Sequence, residues 1–485
     1  MEYVTQGYEP KRALQFFEEL SQIPRGSRNE KAAAEYVYGF AVRNGLNARI
    51  DELYNVVVKK PGSEGFENAP TVLLQAHLDM VCEKNIATKH DFEKDPLQLF
   101  VENGILKAHG TTLGADNGLG CAYMMALLDA DDLVHPPLEC VFTSMEEVGL
   151  LGAIGLDTSD LCSKYMMNLD AGPEGVVVAS CGGGLPVHLR RGLEWESTNE
   201  CAVRLSIRGL AGGHSAVLIH KELGNSIKIM GRILHEIRKV MPVQLASVCG
   251  GDKMNAIPRE CDVTLTVDSA FRTDLMRIAE REAAAIAAEL TDSDSGFTLS
   301  FEETEAKIKL TQRCSDDIID LLYLIRNGVH TMSTEIPELV ITSTNLGSVV
   351  VGDKYVELIT FIRSSVNSLR DALCEEIRYQ AERCGFSIET EPAFPGWQFE
   401  KKSLLREIFV RVYREQTGKE MKVIATHGGL ECAIFKGKMP ELDIIGFGPY
   451  YTGGHTPEEA LDLASYERTW NLLLGTLSAL AEATT

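Results

Sequence analysis

The chain has 485 residues and a formal net charge of −23, from 47 basic against 70 acidic side chains. That balance argues against a polyanionic partner, because nucleic-acid binding needs clustered Lys and Arg and no basic run is present. No stretch approaches the ~18 apolar residues of a membrane span, and the length calls for two or three domains rather than one core.

The opening MEYVTQGYEPKRALQFFEEL lacks the basic-then-apolar order of a secretory signal and runs on into an amphipathic helix. The twelve cysteines are scattered without a C-x-x-C pair, and Cys140 and Cys249 sit in apolar runs. Buried thiols in a cytoplasmic protein fit this better than a disulfide framework. Ser27-x-x-Glu30 reads as a capping box opening a helix through AAAEYVYGFAVRN, with Gly45 ending it. Short apolar runs follow at NVVVKK, TVLLQAH, LECVFTS, YMMNLD and VVVAS, with a helical stretch at LGCAYMMALLDADD. Buried strands alternating with helices predict an α/β domain with a mostly parallel sheet.

From about residue 187 the strands lengthen and alternate, as in CAVRLSIRG and ECDVTLTVD, which predicts antiparallel pairing in an α+β region with room for two similar halves, although no sequence repeat marks them. VVVGDKYVELITFIR reads as a hairpin turning at Gly352-Asp353. After PAFPGW the α/β texture returns, with helices at SLLREIFVRVYREQT and YERTWNLLLGTLSALAEA around a strand at LDIIGFG. The expected organisation is a catalytic domain in two segments, 1–186 and 389–485, with an α+β lid or dimerisation domain, 187–388, inserted between them.

Two imidazoles and three carboxylates punctuate the α/β segments: His77 in QAHLDM, Asp116 in GTTLGADNG, Glu147 in TSMEEVG, Asp170 in MNLDAG and His455 in TGGHTPEE. They are too many for one tetrahedral zinc with an open position and about right for two metal ions sharing a carboxylate. Asp116, between glycines that let backbone approach closely, is the candidate bridge. Asp79 shares a strand face with His77 and can orient it, although H-x-D alone also fits a strand-end histidine with an acidic neighbour. Glu146 and Glu147 point in different directions, so one can bind metal while the other acts as general base; a solvated acidic turn is the plain alternative. Two divalent cations against three carboxylates and one hydroxide leave the cluster neutral.

These motifs, with GGHS, NAIPRE, PGWQ and GLEC, resemble the dinuclear zinc peptidases that include carboxypeptidase G, the cytosolic dipeptidases and bacterial tripeptidase, and within them the aminoacyl-histidine (Xaa-His) dipeptidases. The resemblance spans residues 75 to 459. It implies a zinc-peptidase α/β domain with an inserted lid, often dimeric, with His77 and Asp170 on one ion, Glu147 and His455 on the other, and Asp116 bridging through a cis Asp116–Asn117 peptide. It further implies Asp79 as the partner of His77 and Glu146 as the base. His214 would steady the oxyanion, and Asn255 and Arg363 would grip the substrate, Arg363 having a structural salt bridge as its alternative. The expected activity is hydrolysis of unblocked dipeptides by a zinc-type pair, with cobalt or manganese as substitutes and a homodimer as the assembly. A tripeptidase or aminoacylase on the same ligands, or a non-catalytic metal-binding protein, are the rival readings.

Overall fold

The apolar runs of the α/β segments are strands of one eight-stranded sheet. In the computed structural model, which describes residues 2–290, 294–336 and 339–484, its order is Asn47–Ile50, Val56–Lys60, Leu138–Thr143, Val72–His77, Tyr165–Asn168, Asp443–Gly446, Val176–Cys181 and Lys422–Thr426. The four strands from Leu138–Thr143 to Asp443–Gly446 are parallel, whereas Val56–Lys60 and Val176–Cys181 run antiparallel to them. Every residue of Val72–His77, Leu138–Thr143 and Tyr165–Asn168 is buried, as parallel strands covered on both faces require. The expected α/β fold with a mixed, mostly parallel centre is the observed one.

Helices Lys11–Ser21, Lys31–Arg43 and Ala115–Asp129 supply Phe16, Phe17, Phe40 and Tyr123 to the core on this sheet. The Lys31–Arg43 helix ends as expected: Gly45 has φ +68, and Leu46 N–H closes onto Ala41 O. Its start differs from the expected capping box. Glu30 is itself the N-cap, without a side-chain cap bond; its carboxylate accepts from Arg28 N–H and Met145 N–H, and the Ser27 hydroxyl donates to Asp79. The Ser/Glu spacing is therefore used to tie loops together rather than to start a helix. A small four-stranded sheet, Tyr451–Thr452, Ala460–Asp462, Ile105–Ala108 and Leu99–Glu102, has no counterpart in the sequence reading because its strands are too short to show a period.

The chain divides into two units: residues up to Ser180 with Phe399–Ala425 and Leu430–Thr485, and Cys181–Gln398 with Thr426–Gly429. The boundaries expected from texture at 187 and 389 stand beside divisions at Cys181 and Phe399. Strand Gly183–Gly192 pairs along its length with Tyr355–Ser364, and its Val187–Arg190 part pairs with Ser387–Thr390. Trp397 exchanges backbone hydrogen bonds with Cys181, which carries the second unit on to Gln398. The second unit is built on a nine-stranded antiparallel sheet, and the hairpin turns at Gly352-Asp353 as expected. Among the described residues two pairs, Cys249↔Val350 and Gly250↔Val349, join a four-strand part of this sheet to a five-strand part. Helix Gln312–Leu324 went unread because IIDLLYL is apolar enough to pass for a strand.

Helix Ala115–Asp129 lies unusually close to the strands beneath it. A Cβ on Gly120 would stand 2.8 Å from Ala76 Cβ and 2.9 Å from Leu169 Cβ. Gly120→Val should therefore cost on the order of 1–3 kcal/mol by overpacking, read as a lower denaturant midpoint with unchanged slope; an unchanged midpoint would show that the helix can move away.

Candidate active site

His77, Glu146–Glu147 and Asp170 leave the carboxyl ends of neighbouring parallel strands, where open α/β sheets place their ligands. His77 is fully buried. Its Nδ1 lies 3.1 Å from the Asp79 carbonyl oxygen and 3.5 Å from the Asp79 carboxylate, and its Nε2 lies 2.9 Å from Asp116 Oδ1 and 3.5 Å from Asp170 Oδ1. The Asp79 carboxylate is occupied mainly elsewhere. It accepts from the Ser27 hydroxyl at 2.8 Å and from the N–H groups of Glu146 and Glu147 at 3.0 and 3.2 Å. One buried anion thus shapes the turn that carries both glutamates, with Met145 held at φ +49.

Asp116 presents its second oxygen in the opposite direction: Oδ2 lies 3.4 Å from His455 Nε2 and 3.2 Å from the Tyr451 hydroxyl. His455 Nε2 is also 2.9 Å from Glu147 Oε1. Asn117, joined to Asp116 by a cis peptide, donates through Nδ2 to Asp170 Oδ1 at 2.5 Å. Three sets of ligand atoms converge within 4.8 Å: His77 with Asp116 and Asp170, Asp116 with Glu147 and His455, and His77 with Glu146 and Glu147. All five ligand candidates and Glu146 are therefore brought together. The carboxyl of Glu146 receives no hydrogen bond among the described residues.

Two supports had no legible signal in the sequence. Glu459, in the same TGGHTPEE segment as His455, accepts from the N–H groups of Leu113, Gly114 and Asp116 at 2.7, 3.0 and 3.2 Å. Buried Arg25 donates to the carbonyls of Leu78, Asp79 and Gly114, joining the His77 strand end to the Asp116 loop.

The crowding shows in the protonation balance. Burial, opposed by His77 but reinforced by Asp170 and other carboxylates, pushes Glu146 up to about 9. Burial together with Asp116 pushes Asp170 up to about 7. Burial also works against charge on Asp116, yet hydrogen bonds from His455 and His77 hold it well below the usual range. Hydrogen bonds to Asp116 and Glu147 raise His455 to about 10. Nitrogen and oxygen donors in a negative field suit divalent cations of the zinc type.

In the second unit, His214 pairs in register with Ala256, and Ser215 N–H donates to Asn255 O at 2.8 Å, so His214 and Asn255 are neighbours. Arg363 is buried opposite Ser343, its guanidinium 4.4 Å from the Phe361 ring centroid. Its Nε has no partner, and no carboxylate pairs with it among the described residues, so the salt-bridge alternative falls away. His427, which the sequence reading passed over, bonds to Ser343 Oγ at 2.7 Å through Nε2. Burial and the Arg363 charge drive its pKa down to about 3.

Residues 73–479 match the model of the peptidase family M20/M25/M40. The chain belongs to peptidase family M20/M25/M40. It is 35% identical over 468 residues to a protein of Escherichia coli named cytosol non-specific dipeptidase, covering 96% of each. The crystal structure of an aminoacylhistidine dipeptidase from Vibrio alginolyticus superposes with a TM-score of 0.93 at 33% identity, over 100% of this chain and 98% of that one. A Staphylococcus aureus tripeptidase, 15% identical with a TM-score of 0.55 over 98% and 99% of the two chains, shares the fold alone. As a member of the M20/M25/M40 family the chain is a hydrolytic peptidase, and the resemblance read from the motifs is borne out. No helix is long and apolar enough to cross a membrane among the described residues.

In the metal-free protein Glu146, Asp170 and His455 all bind protons more tightly folded than unfolded. Their windows run from 4.5 to about 9, from 3.8 to about 7 and from 6.5 to about 10. A raised folded pKa favours folding while the proton is bound, so this part of the stability is lost as pH rises through each window. With chelator present, the thermal midpoint should fall from about pH 5 to about pH 9, and saturating zinc should raise and flatten the profile. A metal-free midpoint that climbs over that range would contradict the assignment.

Proposed function

We propose that this M20/M25/M40 peptidase is a dinuclear metal-dependent dipeptidase acting on unblocked dipeptides, of the Xaa-His type, in the cytoplasm. One observation carries the reading: Asp116 turns one carboxylate oxygen to each imidazole, Oδ1 to His77 and Oδ2 to His455. A carboxylate so placed can serve two cations at once. His77 and Asp170 would hold one ion, Glu147 and His455 the other, with zinc as the native pair. When bound, the pair supplies Lewis acidity toward the scissile carbonyl and toward water.

Every other task falls to the chain. Glu146 is the general base, since its carboxyl converges with His77 and Glu147 and is not tied up in hydrogen bonds among the described residues. It takes the proton from the attacking water and returns it to the leaving amine. Asp79 fixes His77 and, through the N–H groups of Glu146 and Glu147, fixes the base as well. His214 steadies the oxyanion, kept neutral by burial and Arg363 and so able to donate one ring N–H. Asn255 helps to grip the substrate, and Arg363, buried without an anion, takes the terminal carboxylate. The second unit is then a lid and dimerisation domain, and the working form a homodimer.

Hydrolysis of β-Ala-His, Leu-Gly-Gly and N-acetyl amino acids, each with zinc, cobalt and manganese, tests the assignment. Dipeptide cleavage should exceed the other two by at least tenfold, whereas a preference for Leu-Gly-Gly would make the protein a tripeptidase. Glu146→Gln should lower kcat by about 10²–10⁴-fold with both ions retained; near-normal turnover would remove Glu146 as the base.

Arg363→Met should raise KM for a free dipeptide by about tenfold or more and leave KM for the C-terminal amide nearly unchanged. Equal losses on both substrates would show that Arg363 does not read the carboxylate.

A further inference from the structure

Beneath the ligand cluster lies a buried carboxyl for which the reaction has no use. Glu431 opens helix Glu431–Lys438 and is fully buried. It does not cap its own helix. Its Oε2 accepts from Gln75 Nε2 at 2.5 Å and from the Thr143 hydroxyl at 2.8 Å, while Oε1 has no partner. Gln75 Nε2 also lies 3.1 Å from Thr143 Oγ1, and Gln75 Oε1 accepts from Asn168 Nδ2 at 2.6 Å. Asn168 Oδ1 in turn accepts from Asp170 N–H at 3.3 Å.

Each partner stands just upstream of a ligand. Gln75 is two residues before His77 on one strand, so the two share a face, and Asn168 is the last strand residue before Asp170. Thr143 ends the strand whose next turn carries Glu146 and Glu147, and it pairs in register with His77. A layer of side-chain hydrogen bonds therefore runs across three adjacent parallel strands directly under the ligand layer, and it terminates on Glu431. Such a carboxyl, half satisfied and half orphaned, does nothing for packing that an apolar residue of similar volume would not do.

We propose that Glu431 is a positioning residue for the metal centre, fixing through Gln75, Thr143 and Asn168 the strand ends that carry His77, Glu147 and Asp170. The inference rests on the dinuclear reading above, but its test does not require turnover. Three variants are compared with the wild type as intact protein: Glu431→Gln, which keeps an acceptor for both donors, Glu431→Leu, which removes it, and Asn168→Ala, which cuts only the link to Asp170. Each is titrated with cobalt, and the visible spectrum and binding constants are recorded beside kcat, KM and the thermal midpoint of the metal-free form.

Glu431→Leu should keep a midpoint within a few degrees of wild type, bind at least one ion tenfold or more weakly with an altered cobalt spectrum, and lose kcat tenfold or more with KM within twofold. Glu431→Gln should restore the spectrum and most of kcat. Asn168→Ala should perturb the cobalt signal more mildly, and it decides the matter alone if Glu431→Leu does not fold. A native spectrum and native affinities in Glu431→Leu, or in Asn168→Ala where that variant decides, overturn the proposal, as does a Gln variant as impaired as the Leu variant. If wild type binds two ions and only the variants disappoint, the positioning role fails by itself; if wild type binds none, the dinuclear reading fails with it.

Discussion

Mutual repulsion among crowded carboxyls is the constraint on which this site is built. Asp79, Asp116, Glu146, Glu147, Asp170 and Glu431 are all drawn to the carboxyl ends of the central strands, where low local polarity strengthens every like-charge contact. The fold answers in two ways, and the difference is informative. Asp79 and Glu459 are met by backbone N–H groups, which hold loops in place and leave little capacity for another ligand. Asp116 and Glu147 meet chiefly imidazoles, with the Tyr451 hydroxyl beside Asp116, and Asp170 meets an imidazole and one amide. Those three keep lone pairs directed at one another's surroundings. Carboxyls held by the main chain tie loops together, whereas those facing the imidazoles are the candidate cation ligands.

The turn at Met145–Glu147 shows how closely scaffold and chemistry are joined. Met145 N–H is held by Glu30, and the next two N–H groups by Asp79, so three successive backbone donors are fixed by carboxylates from other loops. A base must stand within about 3 Å of the proton it takes, and a glutamate has three rotatable bonds with which to miss. Fixing its backbone from both sides leaves only the side chain to adjust. The same anion that orients His77 thus also limits where Glu146 can reach.

Much of this was legible because the proposed ligands are residue types of metal chemistry set where apolar strands end. His77, Asp116, Glu147, Asp170 and His455 stood out through apolar runs before them and glycines beside them, and the strands themselves were plain from burial on both faces. What escaped was of a different kind. Ser27 and Glu30 have the spacing of a capping box, and only tertiary contacts reveal that they serve Asp79 and Met145 instead. Arg25, Glu431 and His427 act through partners far away in the chain, and no local period marks such contacts. The ladder of Gly183–Gly192 with Tyr355–Ser364 begins in a glycine-rich run that no alternation marks as a strand.

His455 poses a separate problem, because the second unit intervenes between it and the other ligands. Loop-closure entropy grows only logarithmically with length, so the insertion itself is cheap for the first unit; accuracy is the difficulty. Strand Ala460–Asp462 pairs with Ile105–Ala108, and Glu459, just before it, grips the N–H groups of the Asp116 loop from a position 343 residues away in sequence. The turn between Tyr451–Thr452 and Ala460–Asp462 places His455 at φ +63, a left-handed conformation rarely adopted by residues with a side chain. Strain of this kind persists only where surrounding contacts over-determine it. Here the small sheet and the Glu459 clamp do so, and the ligand they hold in place is the one that reaches both Asp116 and Glu147. The carboxylate that anchors the returning chain to the Asp116 loop therefore also fixes where His455 stands relative to Asp116 and Glu147.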